Sequence, residues 1–220
     1  MSLPKSTLAE VAARSDYSRT AVIQGLGADA LRNAEQVLDR TQAEVACLSA
    51  AQAEVSSLAN QVGILTQPEN MVRKGLRILQ RRDVVAEGLR LVVKMDTLLD
   101  AIRLSVDCLN IQRSALATVR DFIAGAIQDG RLLRNYLDEK SAREVSARMA
   151  NLDQMTILLS MSIRSVDETL AVSTPQAAVG HIERSLVALT ERHGEPLYDL
   201  PQAAPLLDYL RPNIDTNRDL

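Results

Sequence analysis

Aromatic side chains are nearly absent from this chain of 220 residues, which has no Trp, one Phe and four Tyr. Aromatic residues normally supply much of the buried area of a compact core. Without them the core must be built from Leu, Val, Ile, Ala and Met, which suit the thin seams between packed helices. The same shortage argues against sites for single-stranded nucleic acid or sugars, because such sites rely on aromatic stacking.

Cysteines and long apolar runs are also scarce. The two cysteines, Cys47 and Cys108, belong to no C-x-x-C motif or Cys/His cluster. Two cysteines cannot form a disulfide framework, so we expect a cytoplasmic protein. No apolar run approaches the ~20 residues needed to cross a bilayer. The first residues also lack the charged-then-apolar form of a signal peptide. We therefore expect no transmembrane segment.

The chain carries no excess of positive charge, since its formal net charge is −3. Such a chain has no overall field that attracts nucleic acid. Arginine far outnumbers lysine, which is typical of a GC-rich coding genome. The alternative explanation is an arginine surface that pairs with carboxylates or phosphates.

What the chain does have is apolar periodicity at alternating steps of three and four residues. Three such tracts predict long helices with coiled-coil-like seams. The tracts are Leu31, Ala34, Leu38, Thr41, Val45, Leu48, Gln52, Val55, Ala59 and Val62, then Met95, Leu98, Ile102, Ser105, Leu109, Gln112, Leu116, Val119, Ile123 and Ala126, and then Val145, Met149, Leu152, Thr156, Leu159, Ile163, Val166 and Leu170. The polar members either fix the register from inside the seams or face solvent.

Glycine and proline residues predict where the helices end. The first predicted helix begins at residue 28 and ends between residues 63 and 68, and the others span residues 68–128, 131–172, 175–192 and 203–210. We expect Gly63 to end the first in a left-handed conformation, and we expect a break or bend at residues 81–88. Asp129–Gly130 predicts a turn to which Asn135 adds, and Asp138, Glu139 and Lys140 indicate a short interruption of the next helix. Thr174 before Pro175 predicts a capped helix start.

The predicted fold is all-α: an elongated antiparallel helical bundle of long coiled-coil-like helices with short terminal helices. Short connections between long helices favour antiparallel neighbours. We divide the chain into a short N-terminal helical segment (1–27), the bundle (28–193) and a Pro-rich C-terminal segment (194–220).

The stretch from Thr7 to Leu26 is the most informative local motif. It places Val11 and Ala12 on one predicted helix and an apolar pair, Val22 and Leu26, on the next. This pattern resembles the helix-turn-helix of bacterial repressors, although Asp16 stands where that family has its turn glycine. The resemblance implies that polar residues of the second helix read the major groove of DNA. These residues are Ser18, Arg19, Thr20 and Gln24. The alternative is a pair of short helices that caps one end of the bundle.

No residues form a recognisable catalytic, metal or cofactor motif, and we expect neither an enzyme nor a bound cofactor. His181 and His193 lack a completing ligand at local spacing. Solvated helix surface explains the remaining charged groups, although the arginines among them are also able to contact a phosphate or an acidic partner. These groups are Asp96 with Asp100, Asp138 with Glu139, and Arg73, Arg77, Arg81 and Arg82.

Three function classes fit these observations. The first is a non-catalytic helical interaction or assembly protein that acts through helix faces on a protein partner or on a second copy. The second is a DNA-binding accessory regulator of bacterial or phage type, which dimerises through its long helices. The third is a soluble α-helical protein of the pore-forming kind. Its candidate apolar stretches, residues 89–93 and 157–163, are too short for a membrane-inserting hairpin.

Overall fold

A computed structural model of the chain describes residues 16–67, 78–193 and 203–209, and within these ranges every regular element is a helix. The elements are α1 (Asp16–Gly25), α2 (Ala28–Thr66), α3 (Ile78–Arg134), α4 (Glu139–Val172), α5 (Pro175–His193) and a 3-10 helix (Ala204–Tyr209). The all-α prediction is confirmed, and the elongated antiparallel arrangement stays a prediction. The start of the predicted second helix and the first helix of the N-terminal motif lie outside the described residues.

The predicted seam positions face inward. All members of the three tracts are buried or half-buried. Leu48, Leu109 and Leu159, at the centres of the tracts, expose none of their surface. A helix with an apolar stripe is stabilised by burying that stripe, so the spacing of the apolar residues decides which face turns inward.

Two polar seam residues lie inside rather than at the solvent boundary. Thr41 and Ser105 are 2% and 6% exposed. The Thr41 hydroxyl donates to the backbone carbonyl of Val37 at 2.7 Å, which satisfies its hydrogen-bonding need within the helix. Gln52 and Gln112 are half-buried. The buried alternative therefore holds for Thr41 and Ser105.

Gly63 and Gly88, which were expected to end or break helices, lie inside helices instead. Gly63 is not a left-handed cap, because α2 continues to Thr66, whose side chain is buried one turn beyond Val62. The break at residues 81–88 is absent, because α3 is continuous from Ile78 to Arg134. In both places burial of apolar side chains outweighs the helix penalty of glycine, which is about 1 kcal/mol.

The predicted turn at Asp129–Gly130 is also wrong, and so is the predicted start of the third long helix at residue 131. Helix α3 runs four residues past Gly130, which keeps Leu133 buried at 2% exposure. The turn follows at residues 135–138, from Asn135 to the predicted interruption at Asp138, and α4 begins at Glu139. Asp138 caps α4, because its carboxylate accepts the backbone N–H of Ser141 at 3.0 Å.

The predicted start of the fourth helix and the short C-terminal helix are confirmed. Helix α5 begins at Pro175, and the backbone N–H of Ala177 donates to the Thr174 carbonyl at 3.1 Å. The C-terminal element is a 3-10 helix within the expected range.

The chain divides into two compact units. Unit 1 contains the chain up to Val45 together with Cys108–Leu170, and unit 2 contains Ala46–Asp107 together with the chain from Ala171 onward. Unit 1 therefore holds α1 and parts of α2, α3 and α4. Unit 2 holds the other parts of α2 and α3 together with α5 and the 3-10 helix.

In unit 1, helix α1 packs on the neighbouring ends of α3 and α4. Ile23 is buried in a cluster with Leu133, Val145 and Met149. The turn from α1 to α2 requires glycine, because Gly27 has a φ of +68° and a Cβ atom there would come within 2.7 Å of Leu152 Cδ2. The apolar face of α1 is thus committed to the core.

Candidate functional site

The predicted DNA-reading residues all lie on α1, on the helix that the motif assigned to them. Thr20 and Gln24 are exposed, whereas Ile23 of the same helix is buried. The backbone of Ser18 and Arg19 belongs to α1, whereas their side chains lie outside the described residues. DNA reading by these four residues stays a prediction.

The other charged groups that the sequence singled out are engaged in local contacts where their side chains are described. Asp96 accepts a hydrogen bond from the Tyr209 hydroxyl at 2.5 Å, and Asp100 pairs with Arg103 at 3.0 Å. Arg73 and Arg77 lie outside the described residues, as do the side chains of Arg81, Arg82 and His193. Among the described residues no three His, Cys, Asp or Glu side chains are grouped as a metal site requires.

Two titratable groups of unit 2 have shifted pKa values for reasons visible in the packing. Burial raises the pKa of Tyr209 to about 12, and its hydrogen bond to Asp96 adds to the increase. Burial lowers the pKa of His181, and the nearby positive charge of Arg184 lowers it further. Both shifts follow from burial and from the neighbouring charge, Asp96 for Tyr209 and Arg184 for His181.

Several large apolar side chains are exposed although the core is short of aromatic residues. Phe122, the only Phe of the chain, is 58% exposed on α3 of unit 1. On α4 of the same unit, Ile157, Leu158 and Met161 are 59%, 51% and 64% exposed. Single exposed apolar residues are common, whereas a contiguous group of them marks an interaction surface. The α4 residues form such a group, because positions three and four apart share a helix face.

Leu158 and Met161 border a groove between α2 and α4 within unit 1. The groove has a volume of about 560 Å³. Helix α2 contributes Leu38, Asp39, Thr41, Gln42 and Val45, and α4 contributes Leu158, Met161, Ser162, Ser165 and Val166. We call this feature the α2–α4 groove. Its floor is the buried seam, and Leu158 and Met161 form its exposed apolar wall.

Charge separates the α2–α4 groove from a larger groove in unit 2. The latter has a volume of about 650 Å³ and is lined by three charged residues, Glu87, Arg90 and Lys94. These charges are internally paired, because Arg90 contacts Glu87 at 3.0 Å and Lys94 contacts Glu54 at 2.5 Å. Paired charges hold water and cover apolar surface, so the unit 2 groove is the weaker candidate for docking.

On another side of unit 1, an ion pair connects α3 and α4. Arg113 of α3 donates to the carboxylate of Asp167 on α4. This hydrogen bond, together with the negative charge of Asp167, raises the pKa of the Arg113 guanidinium. The pair bridges the two helices on that side of the unit and leaves the α2–α4 side uncovered.

Reasoning from the sequence missed this groove, because heptad spacing identifies the buried stripe and not the stripe left uncovered. A signal was present, however. Ile157 and Leu158 directly precede the seam residue Leu159, and Met161 follows it. Four apolar residues within five positions are more than one seam can bury, since an amphipathic helix buries three to four residues in every two turns.

None of the helices that the structure describes carries an apolar stretch long enough to cross a lipid bilayer. Comparisons of the chain with models of known protein families, with curated proteins and with solved structures found no significant match.

Proposed function

We propose that this chain is a non-catalytic helical interaction protein, and that its α2–α4 groove receives a helix of a protein partner. The observation that carries the proposal is the exposure of Leu158 and Met161 along the wall of that groove. Grooves of this kind, with an apolar floor between two helices, bind the apolar face of a third helix.

The energetics favour covering this wall. Full burial of a Leu or Met side chain contributes about 1.5–3 kcal/mol. Leu158 and Met161 leave more than half of their surface in water. A partner that covers both therefore gains roughly 2–3 kcal/mol from these two side chains alone.

The neutral polar side chains of the groove suit the same role. Thr41 and Gln42 on α2 and Ser162 and Ser165 on α4 lie among its apolar members. Thr41 is buried and bonded to the Val37 carbonyl, whereas Gln42, Ser162 and Ser165 offer donors and acceptors at the rim of a bound helix. The proposal includes assembly with a second copy as the alternative partner and a cytoplasmic location, which rests on the two cysteines alone.

Site-specific photo-crosslinking tests the proposal. A photoreactive amino acid replaces Leu158 in the groove wall, and a matched chain carries it at Ser160, an exposed α4 residue that does not line the groove. We expect position 158 to give a discrete adduct that maps to a helical segment of one protein. We also expect Met161→Asp to abolish this adduct. Equal labelling at positions 158 and 160, or an adduct that is insensitive to Met161→Asp, would show that the groove is not a docking surface.

A further inference from the structure

The chemistry of the groove rim identifies the kind of helix that it takes. We infer that the occupant is an amphipathic helix of another protein that carries lysine or arginine beside its apolar face. This inference rests on the proposed function and adds the charge and the origin of the partner. It is drawn from one charged residue in the groove, a second one turn away, and the size of the apolar wall.

Asp39 is the only charged residue among those that line the α2–α4 groove. Glu35 precedes it by four positions, so the two carboxylates lie one turn apart on α2. Both side chains are exposed. Neither forms an ion pair with any residue in the described part of the chain.

Several carboxylates of unit 1 are paired locally, whereas Glu44, Glu144 and Asp153, like Glu35 and Asp39, form no ion pair within the described part of the chain. Asp167 pairs with Arg113, Glu168 pairs with Arg164, and Glu139 pairs with Arg143. The α2 rim is thus a place in this unit where negative charge is left without a described counterion beside open apolar surface. Opposite charge on a partner is favoured there, because complementary charges beside an interface steer association and exclude wrong partners.

The size of the apolar wall argues against a second copy as the occupant. The wall consists of two exposed apolar side chains, Leu158 at 51% and Met161 at 64% exposure. A stable dimer buries about 800 Å² on each partner. The wall is therefore too small for a dimer interface of its own, whereas it matches one helix that inserts anchors at positions i, i+3 or i+4, and i+7.

Anionic lipid is disfavoured by the same carboxylates. Peripheral membrane helices carry lysine and arginine beside their apolar face, because anionic headgroups attract positive charge. Here Glu35 and Asp39 take that place on α2. A basic helix is attracted by the charges that repel an anionic membrane.

Binding of two matched peptides to the full chain tests the inference. Both probes are stapled, fluorescein-labelled helices of about 18 residues with leucines at i, i+3 and i+7. One carries lysines beside the leucines, and the other carries glutamates at the same positions. We expect the lysine peptide to bind at least tenfold more tightly at low salt, and we expect the preference to shrink as salt screens the charges.

Variants of the chain locate the contact. Asp39→Asn is expected to weaken binding of the lysine peptide about three- to fivefold, the range for an exposed charge pair. Asp153→Asn removes an exposed α4 carboxylate that does not line the groove, and it is expected to leave binding unchanged. Leu158→Asp is expected to weaken binding of the lysine peptide more than tenfold. Because Leu158 is exposed, this variant retains the fold, which circular dichroism checks.

Equal affinity for the two peptides, or no measurable binding of either, would overturn the inference. Equal effects of Asp39→Asn and Asp153→Asn would do the same.

Failure of the wider proposal is a separate result, because it appears in the crosslinking experiment. If position 158 gives a specific adduct while the lysine peptide has no advantage, the groove binds a partner whose chemistry differs from the one inferred. Preferential binding of vesicles containing phosphatidylserine, or a concentration-dependent dimer that Leu158→Asp abolishes, would also contradict it.

Discussion

Leu189 of α5 packs directly on the backbone of α3 at Gly88, where a Cβ atom would come within 2.6 Å of Leu189 Cδ2. Gly88 is buried and Leu189 exposes none of its surface, so neither side of this contact has free space. The contact explains why a helix interior in unit 2 retains glycine. It lets α5 approach α3 more closely than any larger residue would permit.

Replacement of Gly88 by alanine should therefore destabilise the chain. Alanine improves helix propensity by about 1 kcal/mol, whereas overpacking of a tight core costs about 1–3 kcal/mol. We expect a net loss of roughly 1 kcal/mol in the free energy of unfolding, measured by chemical denaturation. Gly125→Ala is the matched control on α3, because a Cβ atom there meets nothing within 4 Å. It should stabilise the chain by up to about 1 kcal/mol, and the same sign for both variants would contradict the packing argument.

Leu158 and Leu159 are adjacent in sequence, but their truncation should change the free energy of unfolding to very different extents. Leu159 exposes none of its surface, so Leu159→Ala should lower the free energy of unfolding by about 2–5 kcal/mol. Leu158 is about half exposed, and Leu158→Ala should change it by no more than about 1 kcal/mol. Thermal or denaturant unfolding of the two variants gives the comparison. A large loss at Leu158 would mean that this residue belongs to the core rather than to a docking wall.

Tyr209 should make unit 2 sensitive to alkali. Its pKa is about 12 in the folded chain against about 10 in an unfolded one, so the folded state holds the phenolic proton more tightly. The stabilisation is fully present below about pH 10 and is lost as the pH rises towards 12. The denaturation midpoint of the wild-type chain should fall between pH ~10 and ~12 more steeply than that of Tyr209→Phe. Parallel pH profiles would show that the contact between Tyr209 and Asp96 contributes nothing to this dependence.

The helix-turn-helix resemblance makes a separate prediction for α1. If this helix reads DNA, Arg19→Ala should weaken binding in a low-salt gel shift, because a basic residue on a reading helix contacts phosphate or a base edge. Gln24→Ala should alter sequence preference at nearly unchanged affinity for random DNA. Absence of any shift at low salt would leave α1 as a helix that caps the core of unit 1 through Ile23.

Periodicity predicted the buried face of every long helix, because burial of an apolar stripe is what stabilises such helices. The helix ends were predicted less well. Gly63 and Gly130 were interpreted as terminators from their local propensity, but buried Thr66 and Leu133 lie beyond them and keep the helices intact. Other ends agree with the local signals: α5 begins at Pro175, α4 ends at Val172, and α2 ends at Thr66, inside the predicted interval 63–68.

The groove could not be predicted in the same way. The sequence shows that Leu158 and Met161 lie off the seam, but it does not show which neighbouring helix leaves them uncovered. That depends on how α2 and α4 pack within unit 1, where Thr41 of α2 and Val166 of α4 both line the groove. The contribution of Asp39 was equally hidden, because one aspartate on an exposed helix face has no distinguishing spacing.

Oxidative footprinting of Met161 tests the central claim most directly. Met161 is 64% exposed, whereas Met149 in the core of the same unit is 9% exposed and Met95 is fully buried. In the purified chain Met161 should therefore oxidise much faster than the other two. Inside cells we expect Met161 to be protected severalfold relative to the purified chain, and we expect Leu158→Asp to remove that protection. Equal oxidation of Met161 in cells and in the purified chain would contradict the account, because it would show that nothing covers the α2–α4 groove.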